Sequence, residues 1–248
     1  MPLPPARNPR KSPERAVRTD IHSHLLPGMD DGARRFAESD EILRQLREDG
    51  IECLAFTPHF YPAHDSVERF LTRRKASAKR LAESEHFVGL RVSFGAEVYL
   101  TEALFNHEGI EDLSYTDSHF LLTELEYGVP YGKGIERKLE RLINDLSLVP
   151  VLAHIERFPD LLNHPERVAY LREMGCLCQM NLQSFASIFK KRKMLWLAQE
   201  GMVDFLGEDL HRSVISPSVK KKILAELDKA VPGFVKECDA FASETIFK

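Results

Sequence analysis

The feature that most restricts the fold of this chain is a repeated alternation. Short apolar runs are each followed by an amphipathic stretch, and a histidine or carboxylate stands at the end of most runs. Apolar runs and two-residue periodicity predict strands at Arg18–His24, Ile51–Thr57, Leu90–Val98, His119–Leu125, Val149–Ala153, Gly175–Met180 and Val203–Leu206. Helical periodicity covers Glu38–Asp49, Ser66–Glu83, Gly134–Leu146, Pro165–Met174, Lys193–Glu200 and Ser218–Ala230. In the first of these, Ile42, Leu43 and Leu46 share a face and Gly50 is the stop. About seven strands with helices between them make parallel βα units, and parallel strands bring their C-terminal ends to one face. An open sheet gathers ligands only at a switch point, so polar residues at six strand ends argue for a closed ring. The expected architecture is a single α/β domain over residues 19–248, a (β/α)7 TIM-like barrel. Residues 1–18, rich in proline and basic side chains, are expected to form a disordered tail.

Composition excludes several classes. A formal net charge of −4 lacks the concentrated basic character of a nucleic-acid binder. No run approaches the roughly 18 apolar residues of a spanning helix, so no membrane insertion is expected. The cysteines Cys53, Cys176, Cys178 and Cys238 are too few for a disulfide framework in 248 residues. Cys176-Leu-Cys178 has one intervening residue, short of zinc spacing, and lies in a strand pattern. Buried, reduced thiols and a cytoplasmic location follow as expectations.

The chemistry sits at the strand ends. In an extended segment His22 and His24 face the same way. Asp31, His59, Glu97, Glu124, His154, Asp209 and His211 occupy matching places later in the chain. The other five histidines, at 64, 86, 107, 119 and 164, have no partner spacing. Imidazole mixed with carboxylate, without thiolate, suits Mn²⁺, Fe, Zn²⁺ or Mg²⁺. Nine ligands exceed the needs of one ion, and a carboxylate such as Glu97 can bridge two. Two or three divalent ions so placed would bind phosphate oxygens, activate water and stabilise an in-line displacement. Arg157, three residues past His154, can clamp a phosphoryl group; the alternative is a surface arginine paired with Glu156 or Asp160.

His22-Ser23-His24, Asp30-Asp31-Gly32, Thr57-Pro58-His59, Gly95-Ala96-Glu97, His154-Ile155-Glu156-Arg157 and Asp209-Leu210-His211 occur in this order. The set resembles the polymerase-and-histidinol-phosphatase (PHP) superfamily over about residues 19–215. More closely, Leu-Pro-Gly-Met-Asp-Asp-Gly and His-Ile-Glu-Arg resemble its bacterial capsule-type tyrosine-protein phosphatases, of the CpsB/CapC/YwqE kind. The resemblance implies a distorted barrel with three divalent ions, often manganese. It implies hydrolysis of phosphotyrosine on a bacterial tyrosine kinase that controls exopolysaccharide and capsule synthesis, and it allows homo-oligomers. His22, His24, Glu97 and Asp209 would hold one ion. Glu97 would bridge to a second near Glu124 and His154, Asp31, His59 and His211 would serve the third, and Arg157 would hold phosphate. Where family members often carry a second arginine, this chain has Ser216, and Arg212 is the substitute candidate. Glu208 stands where a smaller residue is common.

No cysteine has an arginine six positions on, so a Cys-x5-Arg cradle is absent, and metal-activated water is the expected nucleophile. Two other readings stay open at this point. One is a PHP phosphoesterase acting on histidinol phosphate or another small phosphomonoester. The other is a catalytically weak, metal-binding regulator of a kinase.

Overall fold

Among the described residues all strand pairings are parallel, and two pairs of strands are halves of one longer strand. The computed structural model describes residues 17–212 and 214–248. In chain order the elements are β1 (Arg18–Asp20), α1 (Phe36–Glu48), β2 (Ile51–Phe56), β3 (His59–Phe60), α2 (Val67–Leu81), β4 (Arg91–Phe94) and β5 (Glu97–Tyr99). They continue as β6 (Phe120–Glu124), α3 (Lys133–Asn144), β7 (Val149–Leu152), α4 (Pro159–Leu162), α5 (Pro165–Glu173) and β8 (Leu177–Asn181). Last come α6 (Lys191–Gln199), β9 (Phe205–Gly207), α7 (Pro217–Ala230) and α8 (Phe234–Thr245). Of the tail expected over residues 1–18, residues 1–16 lie outside the described residues, and Arg18 already belongs to β1.

The sheets run β1-β2-β4 and β3-β5-β6-β7-β8-β9. Phe56 opposes Phe94 and His59 opposes Glu97, so β3 and β5 continue the register of β2 and β4. The ladder is interrupted at Pro58, which has no N–H to give. This is why the single strand expected over Leu90–Val98 is seen as two. Beyond β1, Ser23 bridges Leu210 in parallel, and the His24 amide donates to the Leu210 carbonyl at 2.7 Å. The ring of seven strand paths is thereby closed by its last contact, a distorted parallel barrel as expected.

Helices follow where the sequence has amphipathic period. On α1, Ile42, Leu43 and Leu46 are buried, and on α2 the Ser66 hydroxyl caps the helix by accepting from the Arg69 amide. The link from β5 to β6, where no helix is expected, is made of 3-10 turns at Glu102–Asn106 and Ile110–Leu113. The last strand lies at Phe205–Gly207, two residues later than Val203. Among the described residues no helix is long and apolar enough to cross a membrane.

Inside the ring, the inward positions of three strands grade from apolar to polar. On β6 the sequence is Phe120, Leu122, Glu124; on β8 it is Leu177, Gln179, Asn181; along β9 and beyond it is Phe205, Gly207, Asp209. The polar ends therefore meet at one rim. The opposite end is closed by α8, an element the period reading did not predict, whose Ala242 packs with Ile246 and Phe247 against Ile21, Phe205 and Leu177. One buried carboxylate pins α8 to the first strand. Asp239 Oδ1 accepts from the Thr19 amide at 2.9 Å and the Thr19 hydroxyl at 2.8 Å. Asp239→Ala strands these buried donors and is expected to cost about 1–3 kcal/mol. A lower urea midpoint at unchanged slope would show it; an unchanged midpoint would refute the role.

Candidate metal centre

All nine sequence-predicted ligands converge at the rim. His22 and His24 present their Nε2 atoms 3.2 Å apart, each 3.2 Å from Glu97 Oε2 and 3.4 and 3.3 Å from Asp209 Oδ1. His59 places Nδ1 3.1 Å from the same Glu97 oxygen. His154 Nε2 lies 2.8 Å from Glu97 Oε1 and 3.5 Å from Glu124 Oε1. His211 stands 3.5 Å from Asp209 and 3.4 Å from Asp31, whose side chain is 68% exposed. His22, His24, Glu97 and His154 are the deepest, at 1% exposure or less, while His211 stands nearer the mouth with its side chain 31% exposed.

This packing calls for cations. Glu97 Oε2 and His59 Nδ1 are buried without a hydrogen-bond partner, although several imidazole nitrogens surround that oxygen. Lone pairs aimed at one point, and left unsatisfied, are the donor set of a divalent site. Three overlapping groups have ligand atoms within 4.8 Å of one another: His22/His24/Glu97/Asp209, His24/Asp31/His59/His211 and His59/Glu97/Glu124. Glu97, His24 and His59 are each shared by two groups. The electrostatics agree. Burial, then the charge of Glu97, pushes Glu124 up to about 8. For Glu97 itself burial acts upward, but the charge of His22 and bonds from His154, His22 and His24 hold it well below the usual carboxylate range. Burial drives His59 down to about 4. Buried carboxylates and imidazoles thus crowd one space, and a divalent ion would take the lone pairs left unsatisfied there.

The ligands are held from behind. Asp30 Oδ2 takes the His24 Nδ1 at 2.7 Å and the His59 amide at 2.9 Å, and its Oδ1 takes the Gly32 amide at 2.9 Å. Orienting carboxylates of this kind fix a ligating imidazole. Gln179 accepts from the His154 amide at 2.7 Å, and Asn181 donates to Asp209 Oδ2 at 3.0 Å. The Asp30 loop crosses so near His24 that a Cβ at Gly32 would sit 2.1 Å from the His24 carbonyl oxygen. His154 and Asp209 both adopt positive φ, +33° and +47°, uncommon for residues with a Cβ. Such backbone is kept where its surroundings over-determine it.

Arg157 pairs with Asp209, not with Glu156 or Asp160. Glu156 instead accepts from the Ser184 hydroxyl, and Asp160 pairs with Arg167. Arg212 donates through Nε to the carbonyls of Asp31 at 3.0 Å and Gly32 at 3.2 Å, so it braces the Asp31 loop. Ser216 precedes the first turn of α7. Above the ligands lies a cavity of about 460 Å³. Asp31, His59, Glu124, Asp209 and His211 form its floor, and Arg157, Tyr61, Tyr99 and Tyr127 line its walls. The tyrosines and Asp30 were not predicted. Asp30 stands in the quoted Asp-Asp-Gly motif, and Tyr61 two residues past His59, but nothing in the local pattern separates them from ordinary surface residues.

The family model described as "Capsular polysaccharide synthesis, CpsB/CapC" matches residues 18–231. The chain belongs to this family. Within the CpsB/CapC group it is 30% identical to the tyrosine-protein phosphatase CpsB of Streptococcus pneumoniae, over 77% of this chain and 82% of that protein. It is 31% identical to the tyrosine-protein phosphatase YwqE of Bacillus subtilis (strain 168), over 77% and 76%. A solved structure from work on YwqE and CpsB, described there as unique metal-dependent tyrosine phosphatases, superposes with a TM-score of 0.74. That match has 25% identity and covers 92% of this chain and 94% of the other. The capsule-type resemblance read from the motifs is the family found.

Proposed function

We propose that this CpsB/CapC protein is a metal-dependent protein-tyrosine phosphatase acting on a phosphotyrosine-bearing protein, a bacterial tyrosine kinase of polysaccharide synthesis. The observation that carries the reading is three overlapping groups of candidate metal ligands beneath a cavity walled by an arginine and three tyrosines. Two or three divalent ions, manganese first among them, suit the overlapping groups. When bound, they would supply neutralisation of phosphoryl charge and a hydroxide-like nucleophile at neutral pH.

The chain's own residues supply the rest. Arg157 presents a guanidinium at the wall, able to take two phosphoryl oxygens and to meet the charge that grows on them. Tyr61, Tyr99 and Tyr127 offer aromatic surface to the ring of an aryl phosphate. Water adds to phosphorus, the P–O(aryl) bond breaks, and the phenolate leaves, taking a proton from solvent. Its low basicity makes a dedicated acid unnecessary. The tyrosine-lined wall favours an aryl substrate over histidinol phosphate, whose leaving group is an alkoxide. All four cysteines are buried, which fits hydrolysis without a thiol and supports a cytoplasmic home.

Exhaustive chelation is expected to lower hydrolysis of phosphotyrosyl peptide by at least about a hundredfold, with Mn²⁺ restoring it and vanadate without effect. Full turnover by metal-stripped protein would sink the proposal. Arg157→Ala is expected to lower kcat/KM by about a hundredfold with the metal content kept. Arg157→Lys should recover little, because a point charge lacks the guanidinium fork. Elemental analysis beside steady-state kinetics separates the two effects, and a variant with wild-type kcat/KM would remove Arg157 from the site.

A further inference from the structure

Two strongly exposed apolar side chains of the molecule are neighbours. Ile188 is 81% and Phe189 87% exposed, on the link between the 3-10 turn Leu182–Ala186 and α6. The residues on either side, Phe185 and Met194, are buried, so the core has a claim on this segment that stops short of its tip. Single exposed apolar residues are ordinary, but a protruding pair needs a reason.

The next four residues are Lys190, Lys191, Arg192 and Lys193. They occupy the N-cap and first turn of α6, which has no acidic residue there and no capping side chain. That is the positive end of a helix, where cations are unfavourable and anions welcome. Lys191 reaches Glu226 and Lys193 reaches Asn163, while Lys190 and Arg192 form no ion pair among the described residues. Charge and helix polarity thus both ask for an anionic partner at the place where the apolar pair protrudes.

We propose that the Ile188–Lys193 tip docks the protein on an anionic lipid bilayer, Ile188 and Phe189 entering the interface while Lys190 and Arg192 meet the headgroups. Two side chains standing out from a link form a wedge, which suits a fluid interface better than the shaped surface of a rigid protein. On a chain of net charge −4, four consecutive basic residues give the tip a local attraction for an anionic surface. The link follows β8, and Gln183 and Ser184 beside it bond Glu208 and Glu156 at the barrel rim. Docking would therefore hold the rim that carries the metal centre close to the membrane. The contact is peripheral and does not depend on the phosphatase reading.

The test is sedimentation of the full chain with vesicles of phosphatidylcholine alone, or mixed with phosphatidylglycerol, at low and high salt. Binding is expected to the anionic vesicles, to weaken with salt, and to be at least about tenfold weaker on the neutral ones. Ile188→Ser with Phe189→Ser should weaken it by about tenfold or more. Lys190→Gln with Arg192→Gln should weaken it roughly thirtyfold at low salt. Circular dichroism and turnover of a soluble aryl phosphate should match wild type in both variants, showing an intact fold; Phe189→Ser alone serves if the first double variant melts early. The proposal is overturned by no sedimentation with either vesicle, by salt-independent binding equal on both, or by variants that bind like wild type. Binding to an acidic polypeptide in place of the anionic vesicles overturns it as well.

Discussion

Glu97→Gln is expected to cost about 10³-fold in turnover of an aryl phosphate and at least one equivalent of bound metal. The side chain keeps its shape, so the effect is one of charge and lone pairs. Glu97 Oε2 is ringed by nitrogens of His22, His24 and His59 at 3.1–3.2 Å, and Oε1 faces His154 at 2.8 Å. It belongs to two of the three groups able to hold an ion. An amide in its place aims an N–H at those nitrogens and cannot bridge two cations. Wild type should gain thermal stability on adding Mn²⁺, since the ion binds only the folded chain, and the variant should gain much less. A variant with a full metal complement and unchanged turnover would overturn the assignment of Glu97 as the shared ligand.

Lys220→Met is expected to destabilise the protein by about 3–5 kcal/mol, because it leaves buried carboxylates without their cation. Lys220, on α7, is 3% exposed, pairs with Glu208 and lies 3.0 Å from Asp49 Oδ2. Glu208, standing where a smaller residue is common, would on its charge alone make the metal side of the rim more negative. Its carboxylate is instead engaged by Lys220, and its amide donates to Asp20 Oδ1 at 3.0 Å. Burial, then the charge of Glu208, pushes Asp20 up to about 7, which shows how crowded this side of the rim is with acid. Adding Glu208→Gln to Lys220→Met should recover part of the loss. Urea unfolding of the single and double variants, read as a cycle, measures the coupling; strict additivity would show that the pair does not act as a unit.

The reach of local pattern is visible in particular residues. His22 and His24 were readable because strand period forces them to one side, and the remaining ligands because each closes an apolar run. The register of those strands, Phe56 on Phe94 and His59 on Glu97, then carries them to one rim. Asp30 and Asp31 are adjacent in sequence, yet one supports His24 from behind and the other stands 68% exposed at the cavity edge. Helix α8 was missed because its contacts, through Asp239 to Thr19, span 220 residues of sequence.

By itself, then, the sequence determined the parallel strand–helix order, the strand-end placement of the nine candidate ligands and the family, since period and motif spacing are local and survive without knowledge of contacts. The tertiary structure alone decided that Arg157 faces Asp209, that Arg212 braces a loop, that Lys220 neutralises Glu208, and that three tyrosines wall the cavity. Each of these depends on which side chains closure of the ring brings within a few ångströms. Burial then sets what such contacts are worth, because charges removed from water must find partners from whatever part of the chain lies nearest.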